Sequence, residues 1–339
     1  MIKHCFCVLL LTICAQAKDA QIGVLGLFHS KDVVISAVPG KSLECGNDQQ
    51  TRMAGQHWQL HLLRSEMRIS TGASAETSTA FTCDDGLGGA TEFRVSIPGK
   101  ILRLYRGKLK VAPAKSELVI IVSMELETAV ASVVAAESPP DAPMEALKAQ
   151  AVAARSFLVA GGTRHHDFDF CDTTHCQFLR QPPAEQSPAA QAATATRGLV
   201  LAYRDQPFAA LYGASCGGRT HSLEELGLPV RDYPYFPVEC SYCRRNPDRW
   251  VTRMSRTDAQ TLASTETSRI SLARRLGWKA VPSNSHSTHE AEGSVIVEGT
   301  GSGHGIGLCQ RGAADMARNG SSFQEILRHY YPNTVVKQM

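Results

Sequence analysis

The segment Ser132-Val-Val-Ala-Ala-Glu137-Ser-Pro-Pro140 and the alanine-rich run Glu145-Ala-Leu-Lys148-Ala-Gln-Ala-Val-Ala-Ala-Arg155-Ser156 constrain this chain more than any other part of it. Leu126, Val130, Val133 and Val134 recur at helical spacing, and Glu137 falls on the same stripe. Two prolines then break the helix. A second helix is expected next, with Asp141 as its cap, Pro143 in its first turn and Gly161-Gly162 at its end. Met144, Leu147, Ala151 and Leu158 form its apolar stripe, bordered by Lys148 and Arg155. A carboxylate on an apolar face is costly to ionise, so its pKa is expected to rise. A general acid working near neutral pH needs such a shift. The plainer alternative has Glu137 turned to solvent at a helix end, and both cations lying along the surface.

The remainder of the chain bounds what can surround that helix pair. A length of 339 residues, 43% hydrophobic and 20% charged, suits one large globular domain or two smaller ones. A net charge of +3 gives no argument for a nucleic-acid partner. The low aromatic content, 6% with three tryptophans, argues against a broad sugar-stacking platform. Residues 1–17 have the form of a signal peptide: a basic start at Lys3, an apolar run from Cys5 to Cys14, and Ala15-Gln16-Ala17 as the cleavage site. No other run is apolar and long enough to span a membrane, so the mature protein is expected to be exported, in the periplasm or at the cell wall. A lipid-modified Cys14 fits less well, because bulky Ile13 precedes it.

Cleavage after Ala17 would leave eight cysteines, and an oxidising compartment lets disulfides persist. Cys45 and Cys83 stand apart from the others and can pair. Two disulfides among Cys216, Cys240, Cys243 and Cys309 are expected ahead of a second metal site, with their connectivity open. Cys171-x3-His175-Cys176, with His165 and His166 just upstream, offers ligands in number and spacing suited to a closed tetrahedral zinc site. A local Cys171–Cys176 disulfide with surface histidines is the alternative.

Strands are expected at 22–28, 33–38, 93–97, 101–105, 109–111 and 118–122, with 101–105 and 109–111 joined by a Gly-Lys turn. The Ser/Thr/Ala/Gly-rich stretch 65–92 reads as a loop, as does the polar stretch 282–293. A hairpin is expected from Leu199 to Tyr212. Ser322 and Glu325 have capping-box spacing at the start of a last helix. Gly303-His304-Gly305-Ile306-Gly307 allows close backbone approach to a ligand but lacks the spacing of a phosphate loop. His304 and Gln310 could bind a sugar or orient the acid; a tight turn with a structural histidine is the alternative. A thiol nucleophile at Cys309, five residues after His304, is a further reading, less suited to an exported chain with several other cysteines.

Five ordered blocks resemble the SpoIID/LytB family. They are the Glu137 to Arg155 segment, Cys171-Asp-Thr-Thr-His175-Cys176-Gln177, Ala214-Ser215-Cys216-Gly217-Gly218-Arg219-Thr220, and Gly303 to Ala313 followed by His329-Tyr330-Tyr331-Pro332. The family often has Glu-Met-Pro where this chain has Glu137-Ser138-Pro139, and Met-Ser-Gln-Tyr where it has Leu308-Cys309-Gln310-Arg311. The stretch after Trp250 looks short and polar for a groove wall.

The resemblance implies an α+β fold: a β-rich region over 18–115, then a catalytic core over 116–339 with a helix pair and a substrate cleft. It implies an exported lytic transglycosylase that cleaves MurNAc-GlcNAc strands of peptidoglycan, denuded ones by preference, to 1,6-anhydroMurNAc ends. Glu137 would be the acid and base, and Arg155 would orient or polarise the substrate. Lys148, Ser215, Gly217, Gly218, His304 and Gln310 would bind glycan. Zinc on the cysteine-histidine loop would be structural and take no part in the chemistry. The alternative is a non-catalytic, LytB-like protein that binds peptidoglycan and enhances an N-acetylmuramoyl-L-alanine amidase.

Overall fold

The strand Ile101–Ala114 runs through two halves of a twelve-stranded sheet and joins them. Its first half pairs with Thr91–Ile97, its second with Glu117–Met124. Gly107 sits at the changeover. A Cβ there would stand 2.4 Å from the Ser123 carbonyl oxygen, so only glycine lets the strands cross so closely and the sheet curl. The computed structural model describes residues 18–339 apart from 42, 48–51, 73 and 263–264; the expected leader at 1–17 lies outside the described residues.

From one edge the sheet runs Phe170–Cys171, Ala20–Gly23, Glu117–Met124, Ile101–Ala114, Thr91–Ile97, Asp32–Ala37, His57–Leu62, Met67–Thr71 and Ser74–Ser78. Its pairings are antiparallel except the outermost, Phe170–Cys171 on Ala20–Gly23. Leu43–Asn47, Arg52–Gly55 and Phe81–Asp84 attach beside this path, and the facing Cys45 and Cys83 form a disulfide. The expected loop at 65–92 is therefore largely strand. Met67, Ile69, Phe81 and Cys83 point inward with period two, and the Ser and Thr between them suit a pleated outer face. Nor is there a turn at Gly107: the two short strands expected on either side of it are one.

Eight α-helices lie among the described residues: α1 (Leu126–Glu137), α2 (Met144–Ala160), α3 (Pro188–Ala195), α4 (Ser241–Arg245), α5 (Arg256–Thr261), α6 (Glu266–Leu276), α7 (Gln310–Arg318) and α8 (Phe323–Tyr330). The fold is α+β and rich in strands. Helix α2 is its spine. Leu147, Ala151, Ala154 and Phe157 join the core shared with the large sheet and α1. Ala146, Ala149, Val152 and Ala153 join a second core with α7, α8 and the strand Leu199–Tyr203. A helix buried on all sides needs small side chains, and the alanine run supplies them. Pro143 rather than Asp141 occupies the N-cap of α2, with no side-chain cap; Asp141 instead pairs with Arg318 at 3.2 Å.

The expected hairpin after Leu199 is cut short at Gln206–Pro207, since proline has no N–H for a ladder. The strand Leu199–Tyr203 pairs on its other side with Val335–Gln338, while Tyr212–Gly213 runs parallel to Leu308–Cys309. Arg249–Met254, Ser294–Thr300 and His286–Ala291 form a small sheet against α5 and α6. Half of the polar stretch 282–293 is thus a strand, turned at Glu292 and Gly293, both with positive φ. The capping box at Ser322 and Glu325 is present at the start of α8.

Arg155 is fully buried in the middle of this assembly. Its guanidinium grips Glu127 of α1 through two bonds, Nε–Oε1 at 2.9 Å and Nη2–Oε2 at 2.5 Å. It also donates to the carbonyls of Ala193 in α3 and Leu199, each at 3.1 Å. Removing one partner of a buried pair leaves an uncompensated charge, at a cost of about 3–5 kcal/mol. Arg155→Leu should therefore lose about that much stability in urea unfolding. A loss below about 1 kcal/mol, the range of a surface pair, would show that these helices hold together without it.

Candidate functional site

Glu137 is the last residue of α1, and Ser138-Pro139-Pro140 end the helix there. Its half-buried side chain turns into a cavity of about 220 Å³. Three other parts of the chain close that cavity: the loop through Cys176 and Gln177, the strand Tyr212–Gly213, and the glycine-rich turn at Ser302, Gly303 and His304. Glu137 is the sole carboxylate among its described lining residues. A larger hollow of about 830 Å³, between the turns at Leu62–Glu66 and Lys115–Ser116, is open and brings none of the sequence motifs together.

Burial pushes the Glu137 carboxyl above its ordinary value of 4.5, and the backbone N–H of Phe178, donating to Oε1 at 2.8 Å, pulls the other way. Burial wins. Tyr212 and Gln177 stand opposite: the tyrosine hydroxyl donates to Gln177 Oε1 at 2.9 Å, and Gln177 Nε2 donates to the Ala154 carbonyl at 3.1 Å. Burial, with the Glu137 carboxylate nearby, keeps the Tyr212 hydroxyl protonated.

His304 Nδ1 accepts the backbone N–H of Ile306 at 2.9 Å, so a neutral ring carries its proton on Nε2. Burial lowers its pKa and favours that neutral form. The Cε1–Nε2 edge faces Gly213, 3.8–3.9 Å from where a Cβ would lie. Gln310, the first residue of α7, reaches the same cavity, its Nε2 3.4 Å from Gln150 Oε1. The site therefore offers one acid with a raised pKa and neutral hydrogen-bonding groups around it.

Other expected site residues lie elsewhere. Arg155 is occupied by Glu127 and backbone carbonyls, and does not line the cavity. A guanidinium sealed inside the helix packing cannot orient substrate, so its part here is positional. Lys148 pairs with Glu145 at 2.6 Å and is also absent from the lining. Ser215 is buried behind the cavity, its hydroxyl 3.7 Å from Cys243 Sγ, and Gly217 and Gly218 continue that turn away from it. Cys309 is buried too, unlike an exposed thiol nucleophile. Tyr212 and Gln177 were not singled out as site residues by the sequence, although Gln177 ends the Cys171 block and Tyr212 lies two residues before the Ala214 block.

The loop that supplies the Phe178 N–H also carries the cysteine-histidine cluster. His165, Cys171, His175 and Cys176 place one ligand atom each within 4.8 Å of one another. His165 Nε2 lies 3.3 Å from Cys176 Sγ, and His175 Nδ1 lies 3.7 and 3.6 Å from the two sulfurs. Cys171 and Cys176 are not bridged. His166 is not part of the cluster and pairs with Asp167 at the surface. Two thiolates and two imidazoles converging in this way fit a tetrahedral zinc ion with no open position. The sheet edge at Phe170–Cys171 and the Arg103–Asp172 pair at 3.0 Å anchor the loop.

A family model described as "Stage II sporulation protein" (SpoIID) matches residues 114–203, the stretch that builds α1, α2, the cysteine-histidine loop and α3. An uncharacterized protein of Brachyspira hyodysenteriae is 30% identical over 262 residues, 67% of this chain and 70% of that one. Stage II sporulation protein D of Bacillus amyloliquefaciens is 26% identical over 260 residues, 64% of this chain and 75% of its own. The Bacillus subtilis protein of that name is 24% identical over the same shares. The helix pair, Glu137 and the Cys176–Gln177 side of the cavity thus lie in the stretch matched by a family linked to peptidoglycan processing, whereas Tyr212, Gly213, Ser302, Gly303 and His304 lie outside it. The chain belongs to the SpoIID family.

The raised pKa of Glu137 has a consequence for stability. Over the interval between its unfolded and folded values the folded state binds the extra proton, so stability falls as pH rises through that interval. Glu137→Gln abolishes this titration. Urea midpoints measured between pH 4 and 8 should show the variant gaining on the wild type as pH climbs, with a constant difference beyond either end. A difference that does not change with pH would mean the carboxyl ionises as freely folded as unfolded.

Proposed function

We propose that this protein is an exported lytic transglycosylase that cuts the glycan strands of peptidoglycan with Glu137 as its acid and base. The observation that supports this most is the lone, half-buried carboxyl, raised in pKa, in a cavity whose other lining is apolar or neutral and polar. Ordinary glycosidases need two carboxyl groups because water must be activated or a covalent intermediate formed. Internal ring closure needs one.

With the Phe178 N–H on Oε1, the proton sits on Oε2 and is given to the glycosidic oxygen between N-acetylmuramic acid and N-acetylglucosamine. The C1–O bond breaks as an oxocarbenium-like state develops. The muramyl 6-hydroxyl oxygen then bonds to C1, and its proton returns to Glu137. The product carries a 1,6-anhydro ring, and the acid is ready for another cycle. His304 Nε2–H, Gln310 and the Tyr212 hydroxyl serve as hydrogen-bonding groups for the sugars. Neutral partners of this kind suit denuded strands.

A zinc ion on His165, Cys171, His175 and Cys176 would stiffen the loop that holds the Phe178 N–H against Glu137. The metal would supply structure only, since the protein fills its coordination shell. Cys171→Ser should remove one zinc per chain, lower thermal stability, and weaken cleavage through the loosened loop. A mapped Cys171–Cys176 bridge in freshly purified protein would exclude the metal.

Glu137→Gln should lower release of 1,6-anhydromuramyl products by at least about 10²–10⁴-fold. Binding to insoluble glycan should stay near wild type, because the amide keeps the shape of the acid. In the wild type, cleavage should fall as pH rises through the raised pKa, since the resting enzyme must hold the proton it donates. Mass spectrometry of digested glycan reads both results. Wild-type rates from the variant would remove Glu137 from the chemistry. Stimulation of an amidase with no anhydro product from either protein would instead make the chain a binding partner of that enzyme.

A further inference from the structure

Four cysteines that the proposed reaction does not use converge behind the cavity. Cys216 lies on the turn after Tyr212–Gly213, Cys240 and Cys243 flank the start of α4, and Cys309 is the N-cap of α7. All four are buried, and their sulfurs lie within 4.8 Å of one another. Cys243 and Cys309 approach to 3.6 Å. The two expected disulfides are absent, although Cys45 and Cys83 are bonded in the same molecule. We propose that Cys216, Cys240, Cys243 and Cys309 bind one structural Zn²⁺ as a tetrathiolate site. It is separate from the cysteine-histidine site, and it does not depend on the role of Glu137.

Three features carry the assignment. The first is size. Four sulfurs at about 2.3 Å from a tetrahedral zinc stand about 3.8 Å apart, and a multi-iron cage would hold them farther from one another. Here the sulfurs gather around one point, where two separate bridges would draw them into pairs. The second is the set of groups facing the sulfurs. The Gly312 N–H donates to Cys309 Sγ at 3.5 Å, the Tyr330 hydroxyl lies 3.4 Å from Cys240 Sγ, and the Ser215 hydroxyl 3.7 Å from Cys243 Sγ. Four thiolates around a dication keep excess negative charge, and donors on three of the sulfurs disperse it. The third is room. A Cβ on Gly312 would stand 2.6 Å from Cys240 Sγ and 1.9 Å from the Tyr330 hydroxyl oxygen, so glycine is needed where α7 passes the cluster.

A filled shell leaves the ion no chemistry, but its position gives it work. The turn carrying Cys216 follows Gly213 and Ala214, and Cys309 follows the turn carrying Gly303 and His304. Those residues line the cavity, and Ser215 and Ser302 are bridged between them. Zinc on the four thiols would clamp the two turns together and fix the side of the cavity facing Glu137.

The full-length chain, purified without chelator, should contain two zinc ions, and the Cys171→Ser/Cys176→Ser double variant one. Cobalt in place of zinc in that variant should give the intense sulfur-to-cobalt absorption of a four-thiolate tetrahedral site. Cys240→Ser/Cys243→Ser should lose one zinc from the wild-type count. As a test that does not require that variant to fold, wild-type protein should also be alkylated under denaturing, non-reducing conditions and mapped. All four cysteines should then be alkylated. A disulfide mapped among the four, iron in place of zinc, or a double variant at Cys171 and Cys176 without metal would each overturn the assignment.

Discussion

The Arg155–Glu127 pair is the interaction on which the placement of the site depends. Burying a guanidinium and a carboxylate costs several kcal/mol for each ion unless hydrogen bonds replace the lost water. Here they do: Arg155 makes two bonds to Glu127 and reaches carbonyls of α3 and the Leu199 strand, and Glu127 also accepts the N–H of Gly198 at 3.2 Å. A hydrophobic pair could fill the same volume, but it would not fix direction. The fork of the guanidinium sets α1 against α2 in one register, and the far end of α1 then presents Glu137 to the cavity.

The cavity itself is built from segments that own little core. The loop through Cys176, the turn at Tyr212–Ala214 and the turn at Ser302–His304 each lack a long strand or helix. Short irregular segments keep their geometry only if something replaces ladder hydrogen bonds. Two thiol clusters lie where that replacement is needed, one in the first loop and one behind the other two turns. The tyrosine bonds help: the Tyr331 hydroxyl donates to the Leu211 carbonyl at 2.6 Å, and Leu211 N–H donates to Tyr235 at 3.1 Å.

Local pattern was readable in the sequence, and long-range pairing was not. Helix α1 followed from four apolar residues at helical spacing, and the start of α8 from Ser322 and Glu325. The strands at Met67–Thr71 and His286–Ala291 were missed because their outward residues are Ser, Thr, His and Glu, which look like loop until the inward partner is known. The place of Glu137 at the end of α1 was also legible, since its stripe and the following prolines are local. Arg155 was misplaced for the opposite reason. Its partner lies 28 residues away on another helix, and no spacing rule links the two. The four distant cysteines could be counted but not assembled, because their meeting point depends on how Tyr212–Gly213 pairs with Leu308–Cys309.

The same geometry settles a tension that the sequence left open. Two cations on the helix after Glu137 would be expected to stabilise its charged form and hold its pKa down. Neither does. Arg155 is turned to Glu127 and Lys148 to Glu145, whose other oxygen accepts the Phe323 N–H at 2.8 Å at the start of α8. Each cation thus has its own carboxylate, and each pair also fixes a helix. Only burial and one backbone N–H then act on Glu137, and burial prevails. The helix packing leaves Glu137 without a cationic partner, and that isolation lets burial hold its pKa up.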